Sequence, residues 1–168
     1  MKVRITTPAG ITLIEMMIAV AIISIVSFMA VPRFQKAWER IRIRSVNRGI
    51  VSTLRLARSM AISDKEQYGV FVDNGTKTIT LFKDIVNPGG LQFETGDLVI
   101  RTDTLSIEFN YIGTDIENNV IVFQPNGSAE FIGGGNIVTM ATTGSQIGIY
   151  QHNVLASTGR VQTEYYFY

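Results

Sequence analysis

The run from Ile11 to Val31, ITLIEMMIAVAIISIVSFMAV, is apolar except for one carboxylate, Glu15, and it is bracketed by Gly10 and Pro32. As an α-helix it rises about 31 Å, close to the roughly 30 Å hydrocarbon thickness of a bilayer. One membrane span fits. A carboxylate in such a span costs up to about 3 kcal/mol near the bilayer centre and less near an end, so Glu15 calls for a cationic partner.

The ten residues before the run, MKVRITTPAG, carry Lys2 and Arg4 and no acid. An ordinary secretory signal has a core of roughly 7–15 apolar residues and a small-x-small cleavage site. This run is longer, is charged near its start, and offers only Phe28-Met29-Ala30 at its far end. A cut after Gly10 suits the sequence better and leaves the whole apolar segment on the mature chain as an anchor.

Gly10-Ile11-Thr12-Leu13-Ile14-Glu15, the apolar run and Ala30-Val31-Pro32 together resemble the class III signal of type IV pilins and type II secretion pseudopilins. The resemblance implies that a prepilin peptidase cuts between Gly10 and Ile11 and that Ile11 becomes a methylated N-terminus. It also implies that Glu15 pairs with the terminal amine of a neighbouring subunit. Ile11 departs from the Phe usual at the first mature position.

Beyond the span a helical pattern continues. Phe34, Trp38, Ile41, Val46, Ile50, Leu54, Ala57 and Ala61 form one apolar stripe that needs a sheet to pack on, with most arginines off it as a solvated face. Pro32 lacks an N–H and is expected to kink the helix, and Gly49 weakens it by about 1 kcal/mol relative to Ala. Charge divides unevenly. Residues 11–58 hold eight Lys/Arg against two acids, and the residues after Arg58 hold five against twelve, about +6 for the stem and −7 for the head.

From Gln67 the texture changes to short β-rich runs: YGVFVD, TKTITLFKD, LVIRT, LSIEFNYI, NVIVFQP, SAEFIG, NIVTMAT, QIGIYQ and RVQTEYYFY. Turn signals such as Asp73-Asn74-Gly75, Asn87-Pro88-Gly89-Gly90 and Thr158-Gly159 separate them, and the spacing predicts antiparallel sheets without βαβ crossovers. The expected fold class is α+β, a long membrane-spanning N-terminal helix packed on an antiparallel β head. It divides into a leader (1–10), a span (11–31), an amphipathic stem (32–62) and a head (63–168). Leu54 to Ile62 leading into a strand, Val122 to Ser128 and Ser157 to Val161 resemble the GspH/FimT family of minor pseudopilins and minor pilins. With the signal, this resemblance covers nearly the whole chain.

What the resemblance implies is a structural subunit, not an enzyme. The favoured reading is a minor pseudopilin of type II secretion, and the alternative a minor pilin of a type IV pilus, in assembly or DNA uptake. Implied partners are other pilins through the N-terminal helices, prepilin peptidase, the inner-membrane assembly platform and the lipid bilayer, with the head periplasmic. The basic residues from Arg33 to Arg44 outnumber Lys2 and Arg4, so charge alone would orient the head to the cytoplasm. The acidic head disfavours nucleic acid, which needs clustered Lys/Arg. Without Cys there is no disulfide or thiolate site. No cofactor or metal site is expected, although Asp64 and Glu66 together could attract a cation. His152, the single histidine, reads as a surface residue in a loop-like Gln-His-Asn segment. Gly133 to Gly135 read as a loop or bulge, and Thr143, Ser145 and Ser157 lack the adjacent base that a nucleophile requires.

Overall fold

The computed structural model describes residues 10–105, 109–143 and 146–168. Leader residues 1–9, the middle of the LSIEFNYI run, Ser145 and the side chain of Thr143 lie outside that description. The chain forms two compact units, Met1–Trp38 and Glu39–Tyr168, and one helix, α1 (Leu13–Asp64), contributes to both.

In the first unit every residue from 10 to 38 is exposed. Among the described residues this unit has no core. α1 satisfies its own backbone, and Ser24 closes its hydroxyl onto the Val20 carbonyl one turn back, at 2.7 Å, so that it is not left bare on an apolar surface. Pro32 lies inside α1 and has no N–H to offer the carbonyl of Phe28. Phe34 and Trp38, one turn apart, stack with ring centroids 6.3 Å apart.

Among the described residues the second unit pairs the rest of α1 with nine strands, all antiparallel. One sheet has the order β3-β2-β1-β5-β6, built from β1 (Tyr68–Asp73), β2 (Thr78–Lys83), β3 (Leu98–Thr104), β5 (Val120–Phe123) and β6 (Ala129–Glu130). The other has the order β4-β7-β8-β9, built from β4 (Phe109–Ile116), β7 (Gly133–Thr143), β8 (Gln146–Leu155) and β9 (Arg160–Phe167). Val70, Val72, Ile79, Leu81 and Phe123 of the first sheet and Phe109, Ile112, Ile137, Tyr150 and Val154 of the second join α1 in one core. On the outer face of the first sheet, Phe82, Val120 and Val122 form a smaller cluster under Phe71, Leu91 and Phe93. Gly69, opposite Phe82 in the ladder, leaves that ring the space a Cβ would take.

The face that α1 buries differs in part from the stripe read off the sequence. Ile43, Asn47, Ile50, Leu54, Ala57 and Ala61, spaced four and three apart, go into the core, whereas Ile41, Phe34 and Trp38 are exposed. The shift is geometric. Tracing the 3.6-residue period back from Leu54 lands on Ile50, Asn47 and Ile43, and a stripe chosen by apolarity had to skip the asparagine. His152 is a larger correction, because it lies within β8 and is fully buried. The three glycines open β7 next to a register irregularity between Thr114 and Ile116, so they form a bulge in a strand.

Candidate assembly site

The N-terminal end of α1 is set by Thr12. Its backbone carbonyl takes the first helical bond, from Met16 N at 3.2 Å, and its Oγ1 accepts from the Glu15 N–H at 3.3 Å. Thr12 is thus the N-cap, and Glu15 stands in the first turn, where the free N–H groups and the helix dipole favour a carboxylate. Gly10 and Ile11 precede the helix, and Ile11 is 71% exposed. A cut between them would leave a terminal amine four residues from Glu15. Sequence reading overlooked Thr12. The signal was present in Thr-x-x-Glu immediately ahead of an apolar run.

Around this carboxylate the side chains from Leu13 to Val31 are exposed and almost entirely apolar, and this helix is long and apolar enough to cross a membrane. Such a surface is compatible with lipid or with like helices. It offers no acid–base pair, no nucleophile and no ligand set.

The second unit holds a buried polar network that the sequence did not disclose. Asn47 Nδ2 donates to the Ile43 carbonyl at 2.9 Å, which fixes its Oδ1 as an acceptor. That oxygen receives Thr139 Oγ1–H at 2.7 Å and His152 Nε2 at 2.9 Å. His152 therefore carries its proton on Nε2, and Nδ1 accepts from Thr163 Oγ1 at 3.0 Å. Burial pushes the His152 pKa down to about 4, so the ring is neutral. Both ring nitrogens have partners and the ring is fully buried, so the network locks α1, β7, β8 and β9 together.

The remaining candidates disperse. Tyr68 donates to Asp64 at 2.5 Å, and this bond, aided by burial, raises the phenol pKa to about 12. Glu66 pairs with Lys83 instead, so the structure gives the two carboxylates separate partners. No group of three or more His, Asp or Glu side chains that could hold a metal occurs among the described residues. The arginines of α1 are exposed, as a solvated face requires, except Arg58, which is half-buried. Arg58 Nε donates to the Gly127 carbonyl at 2.9 Å and Arg40 to Gln146 at 2.8 Å, whereas Arg44, Arg48 and Arg55 make no hydrogen bond or ion pair to a described residue.

Residues 7–31 match the prokaryotic N-terminal methylation motif. The fold matches the crystal structure of the type IV minor pilin FimU of Pseudomonas aeruginosa with a TM-score of 0.50 and 13% identity, over 75% of this chain and 90% of that one. No curated protein sequence matches the chain. The chain thus carries an N-terminal methylation motif, and its fold, a long apolar helix followed by antiparallel sheets, is similar to that of a type IV pilin.

Proposed function

We propose that the chain is a minor pseudopilin of a type II secretion system. It would be cut after Gly10, held in the inner membrane by residues 11–31 with its head in the periplasm, and assembled into a pseudopilus. The observation that carries a structural role is the capped helix end, where one carboxylate sits at the start of a wholly exposed apolar surface. In a helical assembly each Glu15 would take the Ile11 amine of a neighbour, so that two charges too costly for hydrocarbon become one buried pair. Pro32 would adjust the direction of the helix as it leaves the bilayer.

Mass spectrometry of membrane-extracted protein is expected to show loss of MKVRITTPAG, with or without a methyl on Ile11. A terminus after Ala30, or an intact Met1, would contradict the reading. Glu15→Ala should still enter the membrane, since it makes the anchor more apolar, yet copurify poorly with other pilins.

The likeness to FimU favours a second reading, a minor pilin of a type IV pilus. Deletion of the gene separates the two. Loss of exported enzymes from the medium with pili intact supports secretion, and loss of surface pili with export intact supports the pilus.

A further inference from the structure

The second unit contains an open groove between the basic face of α1 and the helix-facing side of β9. Its larger part has a volume of about 580 Å³ and is lined by Arg44, Arg48 and Arg55 on the helix and by Tyr150, Thr163 and Tyr165 on the sheet. A second part of about 390 Å³ continues along the helix past Arg55 to Arg58 and Arg160. Among the described residues no acid lines either part. The acid of β9, Glu164, alternates with Thr163 and Tyr165 and so stands on the opposite face of the strand, where it accepts from Tyr166.

Three properties of this groove point to one kind of occupant. First, Arg44, Arg48 and Arg55 are unpaired among the described residues, an arrangement that leaves three guanidinium forks free for carboxylates. Second, the floor is aromatic and open: Tyr150 and Tyr165 stack at 6.0 Å, Phe167 meets Tyr165 edge-on at 5.7 Å, and Tyr165 is 61% exposed. Third, β9 is the last strand of its sheet, paired only with β8 among the described residues, so its outer N–H and C=O groups are free to receive another strand.

We infer that this groove binds an extended acidic segment of another protein subunit, added beside β9 as a fifth strand of the sheet. Spacing supports the match. Arg44 and Arg48 are about 6 Å apart along the helix axis and Arg55 lies about 10 Å further, whereas carboxylates on one face of a strand recur every 6.6 Å or so. Acids at alternate positions would meet the first two arginines in register, and the third lies between the next two acids on that face, within the reach of a long guanidinium side chain. The backbone edge favours a peptide over a polynucleotide, because only a peptide can continue the ladder. This inference goes beyond the filament reading, since it concerns the head and does not depend on Glu15.

The test uses the full chain in detergent micelles and a fluorescent peptide of about eight residues alternating Asp with Val, the length of β9. Anisotropy is expected to show binding that weakens with salt. N-methylation of alternate peptide amides, which removes ladder donors and keeps the charge, is expected to weaken it at least tenfold. The double variant Arg48→Glu with Arg55→Glu should do the same while keeping the wild-type circular dichroism. Equal binding of the methylated peptide, tighter binding of oligo(dT), or no binding of the acidic peptide would overturn the proposal. Because the methylated peptide is tried on the unaltered protein, a folding defect in the variant cannot mask the answer. Failure here would leave cleavage after Gly10 and the Glu15 assembly test untouched.

Discussion

The two halves of α1 follow opposite rules. From Leu13 to Trp38 every side chain is exposed and most are apolar, whereas from Glu39 to Asp64 the helix sinks Ile43, Asn47, Ile50, Thr53, Leu54, Ala57 and Ala61 into a core. A helix closes its own backbone bonds either way, so the difference lies wholly in where the apolar surface finds its cover. The second half finds it inside the chain. The first half finds none within the chain; under the proposed function lipid or neighbouring subunits would supply it, and changes there should be felt in assembly and hardly at all in the folding of the head.

The strongest way to break this comparison is a matched pair of truncations. Leu54→Ala removes a fully buried side chain from the core and is expected to cost about 2–5 kcal/mol of head stability. Ile18→Ala removes similar bulk from the exposed half and is expected to change head stability by less than about 0.5 kcal/mol. Urea unfolding followed by circular dichroism measures both. Comparable losses in the two variants would show that the halves are not energetically separate.

Acid should act on one half alone. The His152 imidazole in the unfolded chain keeps its ordinary value near 6.5, and in the folded head burial holds it near 4. Between those values the unfolded chain binds a proton that the folded chain refuses. Stability is therefore flat with respect to this group above pH 7 and falls as pH drops from 6.5 to 4, by about 3 kcal/mol in all. Below pH 4 the loss from this group saturates. Protonation would turn Thr163 from donor to acceptor, a change its hydroxyl makes by rotation. His152→Leu leaves Asn47 Oδ1 bonded to Thr139 and should abolish this part of the pH slope. An unchanged slope between pH 4 and 6.5 would show that the ring titrates normally.

The same division explains what could be read before the structure. Each of the nine β-rich runs corresponds to a strand, because alternation and turn residues are local signals. The apolar span was legible for the same reason. Asn47 and His152 were not, because each looks wrong by itself: an amide on an apolar stripe, and an imidazole between Gln151 and Asn153. They become intelligible only as a pair, joined across 105 residues. One clue was available, since Gly148, Tyr150, His152 and Val154 keep the inward alternation of β8 unbroken. The partition of the strands into two sheets left no comparable trace, for pairing between β1 and β5 depends on contacts distant in sequence. At the N-terminal end of α1, Gly10, Ile11 and Glu15 were singled out through the resemblance to a class III signal and Pro32 as a helix kink, whereas the capping role of Thr12 went unread.

A smaller effect is expected at that cap. Thr12→Ala removes the oxygen that accepts from Glu15 N–H and should cost about 1 kcal/mol at the first turn. In micelles this predicts amide exchange at Leu13 to Met16 faster by about fivefold, the factor that such an energy represents. Head unfolding should not change. A shift in the urea midpoint would mean that the helix start communicates with the core, against the separation argued above.

Gly49 gives the gentlest test, and one with the opposite sign. It lies within the half of α1 that packs, between the buried Asn47 and Ile50, so a close contact with the sheet would be the usual reason for a glycine there. Yet a Cβ built on Gly49 meets nothing within 4 Å, and its φ is that of an ordinary helical residue. Packing therefore does not require it, and its cost is conformational. Gly49→Ala should stabilise the head by about 0.5–1 kcal/mol, by narrowing the freedom of the unfolded chain. The urea midpoint should rise with an unchanged slope. A fall would mean that the helix and β3 approach more closely in solution than the structure shows, through the side chains of Arg101 and Asp103 that line the space beside Gly49. The buried face would then be set by contact on both flanks, not by the Asn47 network alone.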